Sequence, residues 1–95
     1  MSSKAEKEHY DKLAQLGCIV CINLGYGYSP PHIHHIRHGA GLAQKSDWRN
    51  AIPLCPAHHL HGGYGVALHA GIKEFERKYG TETELLEKVK RLLDD

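Results

Sequence analysis

The chain has no long hydrophobic run, no large excess of charge and few aromatic side chains, and these absences limit the classes of protein to which it can belong. No apolar run approaches the roughly 18 residues that a membrane-spanning helix needs, which excludes a membrane protein. The stretch MSSKAEKEHYDK at the start is charged, which excludes a secretory signal and favours a cytoplasmic location. Because the formal net charge is only +1, nucleic-acid binding cannot be inferred from global electrostatics.

Cysteine is also scarce, and its number is informative. The 95 residues include three cysteines, an odd number that argues against a disulfide framework and favours metal ligation in a reducing cytosol. A chain of this length forms one domain with a modest core, a size at which bound metal often supplements hydrophobic packing. Histidine is abundant by contrast, with nine residues. The composition therefore favours a single globular domain that is stabilised by metal.

Capping patterns predict helices at both ends of the chain. The pattern S-x-x-E at residues 3–6 is a capping box before a helix of about residues 4–16. The related pattern at 81–84 precedes a helix of about 82–93, and a further helix is predicted over about 70–79. Leucine and valine recur at helical spacing in the last helix, which is typical of a core face or a partner-helix surface.

Two short strands are predicted between these helices. HIHHIRH, residues 32–38, alternates isoleucine with histidine and places His34 and His35 on opposite faces of a strand. A second strand is predicted over 51–54, followed by a short helical turn over about 56–61 that begins at a proline. The two strands are expected to pair as a hairpin.

The cysteines have metal-ligand spacing. Cys18 and Cys21 enclose two residues, and Cys55 and His58 repeat that spacing downstream. The two pairs together make a Cys3His tetrahedral set, which is typical of structural zinc. One alternative is that the cysteines are small buried hydrophobic residues. Another is a redox CxxC, which the lack of a βαβ pattern disfavours.

The remaining histidines can form a second site. Neighbouring residues on a short helix differ by about 100° in direction, so His59 points away from the ion that His58 would bind. His34 and His35 can serve the same second site, because their strand is expected to pair with 51–54. The sequence therefore divides its histidines between two places.

These residues resemble a known family. The segments HHIRHGAG and NAIPLCPAHH together resemble the HNH nuclease motif, and HHLHGGYGVALHAG followed by KEFERKYG is similar to bacteriophage recombination-enhancement nucleases, which depend on RecA. The resemblance covers about residues 18–80. It implies an α+β fold in a single domain over 1–95, with a small zinc-stabilised ββα-metal core at about 18–69. Helices would flank that core on its N- and C-terminal sides.

The resemblance also implies roles for individual residues. His35 would be the general base, and Asn50 would hold the connecting loop against the strand and so orient His35. The ligands of the catalytic divalent ion would be His34, His59 and His69. In the usual motif the last ligand lies one helical turn past the first helix ligand, where this chain has Gly63. His69 is the inferred substitute, and His61 is its rival.

The implied function is metal-dependent endonuclease cleavage of DNA, in phage recombination. A histidine with a pKa near 6.5 can take a proton from water at neutral pH, and a divalent ion can neutralise charge that develops on the phosphate. The cofactors would be structural zinc and a catalytic divalent cation, either magnesium or manganese, with zinc as a further candidate. The partners would be DNA and a RecA filament.

Several basic residues flank the candidate site and could contact phosphates, although such side chains commonly form a solvated face. They are Arg37, Lys45, Arg49, Lys73 and Arg77. The alternative function is a non-catalytic, zinc-stabilised module that binds nucleic acid or protein, with a second structural zinc on the extra histidines. A structural site would require four closed protein ligands, whereas three leave a position for substrate, which favours the nuclease.

Overall fold

Two short antiparallel strands form the centre of the fold, in a computed structural model that describes residues 3–36 and 48–94. Strand β1 spans His32–His35 and strand β2 spans Ala51–Leu54. All residues of β2 are buried, since α1, α2 and α4 pack against it. Strand β1 is less buried, with His34 buried, His35 exposed and its first two residues half-buried.

The register of this hairpin determines the direction of its histidines. His34 lies opposite Ile52, and His35 lies opposite Ala51. Because successive side chains of a strand point to opposite faces, His34 is buried and His35 is exposed. Beyond β1, the backbone N–H of Ile36 donates a hydrogen bond of 2.9 Å to the carbonyl of Asn50, which extends the pairing by one step.

Helices surround the hairpin in the described part of the chain. They are α1 (Lys4–Leu16), α2 (Ile19–Asn23), α3 (Ile72–Tyr79) and α4 (Glu82–Asp94). A single π-helical turn spans Ala57–His61, and a 3-10 turn spans Leu68–Ala70. Helix α1, strand β2 and the turn after β2 lie where the sequence predicted them, and α2 was not predicted as a helix. The α+β class is therefore confirmed.

The predicted capping residues form hydrogen bonds at the N-termini of both α1 and α4. The hydroxyl of Ser3 accepts the backbone N–H of Glu6 at 3.1 Å, which satisfies one orphan donor of α1. At α4, the Thr81 N–H donates to the Glu84 carboxylate at 2.8 Å, and the Glu84 N–H donates to the Thr81 hydroxyl at 3.1 Å. Gly17 ends α1 with a φ of 86°, and a Cβ there would lie 2.7 Å from the Tyr28 ring.

The core is small and lies between the hairpin and the helices. Its largest fully buried side chains are Phe75, Leu13, Ile19, Ile52, Leu54, Leu85, Val20 and Val89. Leu85 and Val89 belong to the predicted stripe of α4, whereas Leu92 of that stripe is exposed. No helix in the described ranges has the length and apolar character required to cross a membrane. Each buried large side chain contributes about 1.5–3 kcal/mol, so a core of this size provides only modest stability.

Candidate metal centres and active site

The three cysteines and His58 converge in the interior. The sulfurs of Cys21 and Cys55 are 3.8 Å apart, and the Nδ1 atom of His58 lies 3.6 Å from Cys18 Sγ, 3.7 Å from Cys21 Sγ and 3.2 Å from Cys55 Sγ. All four residues are buried. The two pairs predicted from spacing are thus brought together in one group.

Local backbone structure delivers these side chains. Cys18 caps α2, and its sulfur accepts the backbone N–H of Cys21 at 3.4 Å, which turns both sulfurs to the same side. For the second pair, Cys55 and His58, the π-helical turn follows shortly after β2. There the His59 N–H donates to the Cys55 carbonyl at 2.9 Å. Gly62 closes that turn. A Cβ at Gly62 would lie 2.4 Å from the Ala57 carbonyl oxygen, so only glycine fits.

The Cys3His group fits a tetrahedral zinc ion. With metal–sulfur bonds of about 2.3 Å and metal–nitrogen bonds of about 2.0–2.1 Å, tetrahedral ligands are separated by about 3.5–3.8 Å. The observed separations lie close to this range. Burial raises the pKa of the Cys18 thiol to about 12, so this sulfur needs a cation beside it to become a thiolate at neutral pH. Burial also lowers the pKa of His58, which favours the neutral imidazole that metal requires.

A second group consists of the imidazoles of His34, His59 and His69. One ring nitrogen from each residue lies within 4.8 Å of the others, and the Nε2 atoms of His59 and His69 are 3.1 Å apart. The ring centroids lie 5.2 Å apart for His34 and His59 and 5.0 Å apart for His34 and His69. His34 is buried and His69 is exposed, so this group has an open side.

Each histidine of this group comes from a different element. His34 lies on the inward face of β1, and His59 lies on the π-helical turn, where its neighbour His58 faces the cysteines. His69 lies on the 3-10 turn that follows the glycine-rich segment. The rival residue, His61, is exposed and does not belong to the group. The geometry therefore favours His69 over His61 as the third member.

Two further side chains contact the second group, and sequence reasoning missed both. Glu82 Oε2 lies 2.6 Å from His34 Nε2, and His32 Nδ1 lies 3.1 Å from His59 Nδ1. His32 could have been found, because it precedes His34 by two positions on a strand and therefore shares its face. Glu82 carries no comparable signal, since it is distant in sequence and lies on another element.

Burial favours the form of His34 and His59 that binds metal. The pKa of His59 is lowered to about 4, first by burial and then by the charge of the neighbouring histidines. Burial also lowers the pKa of His34, while the hydrogen bond to Glu82 opposes that shift. Both imidazoles are therefore neutral at pH 7, with a lone pair available for a cation.

His35, the predicted general base, lies on the exposed face of β1 and outside the three-histidine group. Its Nε2 atom is 2.9 Å from the hydroxyl of Tyr10 on α1, and the two rings meet edge to face. Asn50 acts on this strand through its backbone carbonyl, which accepts the Ile36 N–H. The roles assigned to His35 and Asn50 stay predictions.

Three of the five basic residues proposed for phosphate contact lie in the described part of the chain. Arg37 and Lys45 lie outside the described residues. Arg49 is exposed, with its guanidinium 5.4 Å from the ring centroid of Trp48. Lys73 is exposed on α3, and Arg77 on the same helix forms an ion pair with Glu74. A nucleic-acid interface therefore stays a prediction.

These features define a small α+β protein built around a buried Cys3His group that can hold a metal such as zinc, with a second and more open group of three histidines beside it. The chain belongs to the family of recombination enhancement, RecA-dependent nucleases, whose model matches residues 2–94. This match confirms the resemblance to the recombination-enhancement nucleases and extends it from about 18–80 to both terminal helices. No curated protein matches the chain significantly.

Proposed function

We propose that the chain is a metal-dependent endonuclease of the HNH type, which hydrolyses phosphodiester bonds in DNA during recombination. Membership of a family described as RecA-dependent nucleases supports nuclease activity on DNA and a relationship with RecA. The observation that carries the assignment to a metal-dependent enzyme is the convergence of His34, His59 and His69. Three protein ligands leave coordination positions for water and for a phosphate oxygen, as catalytic metal sites require.

The two groups have different roles in this proposal. The Cys3His group holds a structural zinc ion, because it is buried and supplies all four ligands. The three histidines hold the catalytic divalent ion. That ion would neutralise the charge that develops on the scissile phosphate and stabilise the leaving oxygen. Because neutral imidazole ligands carry no charge, the ion would keep its full positive charge, which suits an anionic substrate.

The chain's own residues supply the proton chemistry. His35 is the general base that takes a proton from the attacking water. If the Tyr10 hydroxyl accepts the Nε2 proton of His35, the Nδ1 lone pair becomes the acceptor for that proton. Asn50 supports the geometry by fixing the end of β1 through its carbonyl. His35 directly follows His34 in sequence, although its side chain leaves the opposite face of β1.

The substrate and the cation are tested together. Purified protein is incubated with supercoiled plasmid and with single-stranded DNA, with and without RecA filaments, in magnesium, manganese or zinc. His35→Ala should lower the cleavage rate by about 10²–10⁴-fold, the usual contribution of a general base. His61→Ala is the matched control, since His61 is an exposed histidine of the same region outside the three-histidine group.

Each outcome separates the proposal from its rival. Cleavage by the parent and by His61→Ala, but not by a folded His35→Ala protein, supports the nuclease and its base. Equal cleavage by all three proteins would show that the base is misassigned. If the parent cuts no DNA under any of these conditions, the non-catalytic binding module becomes the better account of the second histidine group.

A further inference from the structure

The contact between His34 and Glu82 joins the histidine group to the C-terminal helix. Glu82 Oε2 lies 2.6 Å from His34 Nε2, and the two side chains are only 18% and 10% exposed, respectively. Hydrogen bonds to a charged carboxylate are short, and partial burial strengthens them. The contact therefore differs from an exposed surface ion pair, which contributes little to the stability of a fold.

The fold fixes the position of this carboxylate. Glu82 is the first residue of α4, directly after Thr81, whose hydroxyl and backbone N–H both bond to Glu84. One and two turns further along the helix, Leu85 and Val89 are buried in the core. A capped and anchored first turn has little freedom, so Glu82 is held against His34 by the packing of α4.

Glu82 is an outer partner of the histidine group and does not belong to it. The group whose donor atoms all lie within 4.8 Å of one another consists of His34, His59 and His69, without Glu82. A neutral imidazole has one N–H and one lone pair, so a carboxylate that accepts the proton from one nitrogen leaves the other nitrogen as the ligand atom. Metal-binding histidines commonly have such a partner on the second nitrogen.

We propose that Glu82 is the positioning residue of the three-histidine site. Its carboxylate accepts the Nε2 proton of His34, fixes the tautomer with the lone pair on Nδ1 and holds the ring in the orientation that binds the catalytic cation. This inference rests on the proposed function, because it presumes that His34 is a metal ligand. The His32–His59 contact at 3.1 Å gives a second ligand of the same group a partner on its other nitrogen.

The test measures cation affinity directly. The parent, Glu82→Gln and Glu82→Ala are loaded with zinc at the Cys3His group and then titrated with cobalt(II), whose absorption and binding heat report the second site. Glu82→Ala should weaken cobalt binding by about 10–100-fold, the usual cost of losing such a partner. Glu82→Gln should have a smaller effect, because its amide oxygen can still accept the Nε2–H. Glu87→Gln is the control, since Glu87 is exposed on the same helix.

A second readout needs no second ion. Long-range ¹H–¹⁵N spectra of the zinc-loaded parent should show His34 protonated on Nε2, whereas Glu82→Ala should show a mixture of tautomers. Circular dichroism verifies that each variant is folded. If the parent binds one ion only, both this inference and the catalytic-metal proposal fail. If the parent binds two and Glu82→Ala keeps its cobalt affinity within about twofold and its His34 tautomer, Glu82 positions nothing and only this inference fails.

Discussion

The Cys3His group and the three-histidine group share one short helical turn, where His58 belongs to the first and His59 to the second. The first group is buried and offers four potential metal ligands, three of them thiols. The second is made of imidazoles, with the exposed His69 on its open side. Adjacent residues on one turn therefore supply two sites with opposite properties, because their side chains leave the turn in different directions.

In the proposed function, this difference separates stability from catalysis. A closed ligand set would exclude substrate from its ion, so the Cys3His group would act on folding alone. An open set admits water and phosphate, and its loss should affect chemistry more than the fold. Variants of the two groups should accordingly have effects that differ in kind as well as in size.

The largest effect is expected from the closed site. Cys55→Ser, or removal of the ion by a strong chelator, should unfold the chain at 25 °C. Structural zinc in small modules supplies about 10 kcal/mol, comparable with the whole stability of a domain. Far-ultraviolet circular dichroism measures the outcome. A helical signal unchanged after chelation would show that this group is not a structural metal site.

The next effect is expected from the open site. His59→Ala should leave the helical signal and the first zinc in place but abolish binding of the second ion. DNA cleavage should fall by more than about 100-fold, since the loss of a ligand costs more than the 10–100-fold loss expected for an outer partner. Metal content by mass spectrometry and cleavage assays provide the measurements. An unfolded His59→Ala protein would contradict the division of roles between His58 and His59.

Sequence reasoning succeeded where the determinants are local. The two ligand pairs of the Cys3His group are each three residues apart, so spacing alone indicates that each pair converges. The bounds of α1 follow from Ser3 and Gly17, which act on the backbone directly beside them. Strand alternation likewise indicates that His34 and His35 point in opposite directions.

The rest depended on packing that no local pattern encodes. The partners of His34 and His35, namely Glu82 and Tyr10, are 48 and 25 positions away in sequence. Both lie on helices whose placement against the hairpin is set by the core. Helix α2 was missed for a related reason. It has five residues and is capped by the sulfur of Cys18, whose position reflects its place in the Cys3His group rather than helix propensity.

A smaller effect is expected at the exposed face of β1. Tyr10→Phe should slow cleavage about fivefold while leaving the affinity for both ions unchanged, because it removes one hydrogen bond of about 1 kcal/mol to His35. Single-turnover cleavage rates across a pH series measure the change. Tyr28→Phe is the control, since the Tyr28 hydroxyl donates to the Ala14 carbonyl and contacts α1 without contacting His35. Equal slowing in both variants would indicate a general loss of stability instead.

The smallest effect is expected at the cap of α4, and it depends on pH. The pKa of Glu84 is lowered by its hydrogen bonds with Thr81, first through the backbone N–H and then through the side chain. Because the folded-state pKa lies below the unfolded value, the carboxylate stabilises the fold above the unfolded pKa, and this contribution is lost as the pH falls through the folded one. Glu84→Gln should therefore be slightly less stable than the parent at pH 7, and the difference should shrink as the pH approaches 4.

Urea unfolding of the zinc-loaded parent and Glu84→Gln proteins at pH 7 and near pH 4 measures this difference in stability, with Glu87→Gln as a control for loss of charge on α4.

Variants of the cap also show how the two sites are connected to α4. Glu82 lies in the turn that Thr81 and Glu84 hold, and it contacts only the second histidine group among the described metal-ligand candidates. Loosening the cap should therefore weaken cobalt binding at the open site slightly and leave zinc at the closed site unchanged. Equal weakening of zinc binding and cobalt binding would mean that α4 supports the two groups alike.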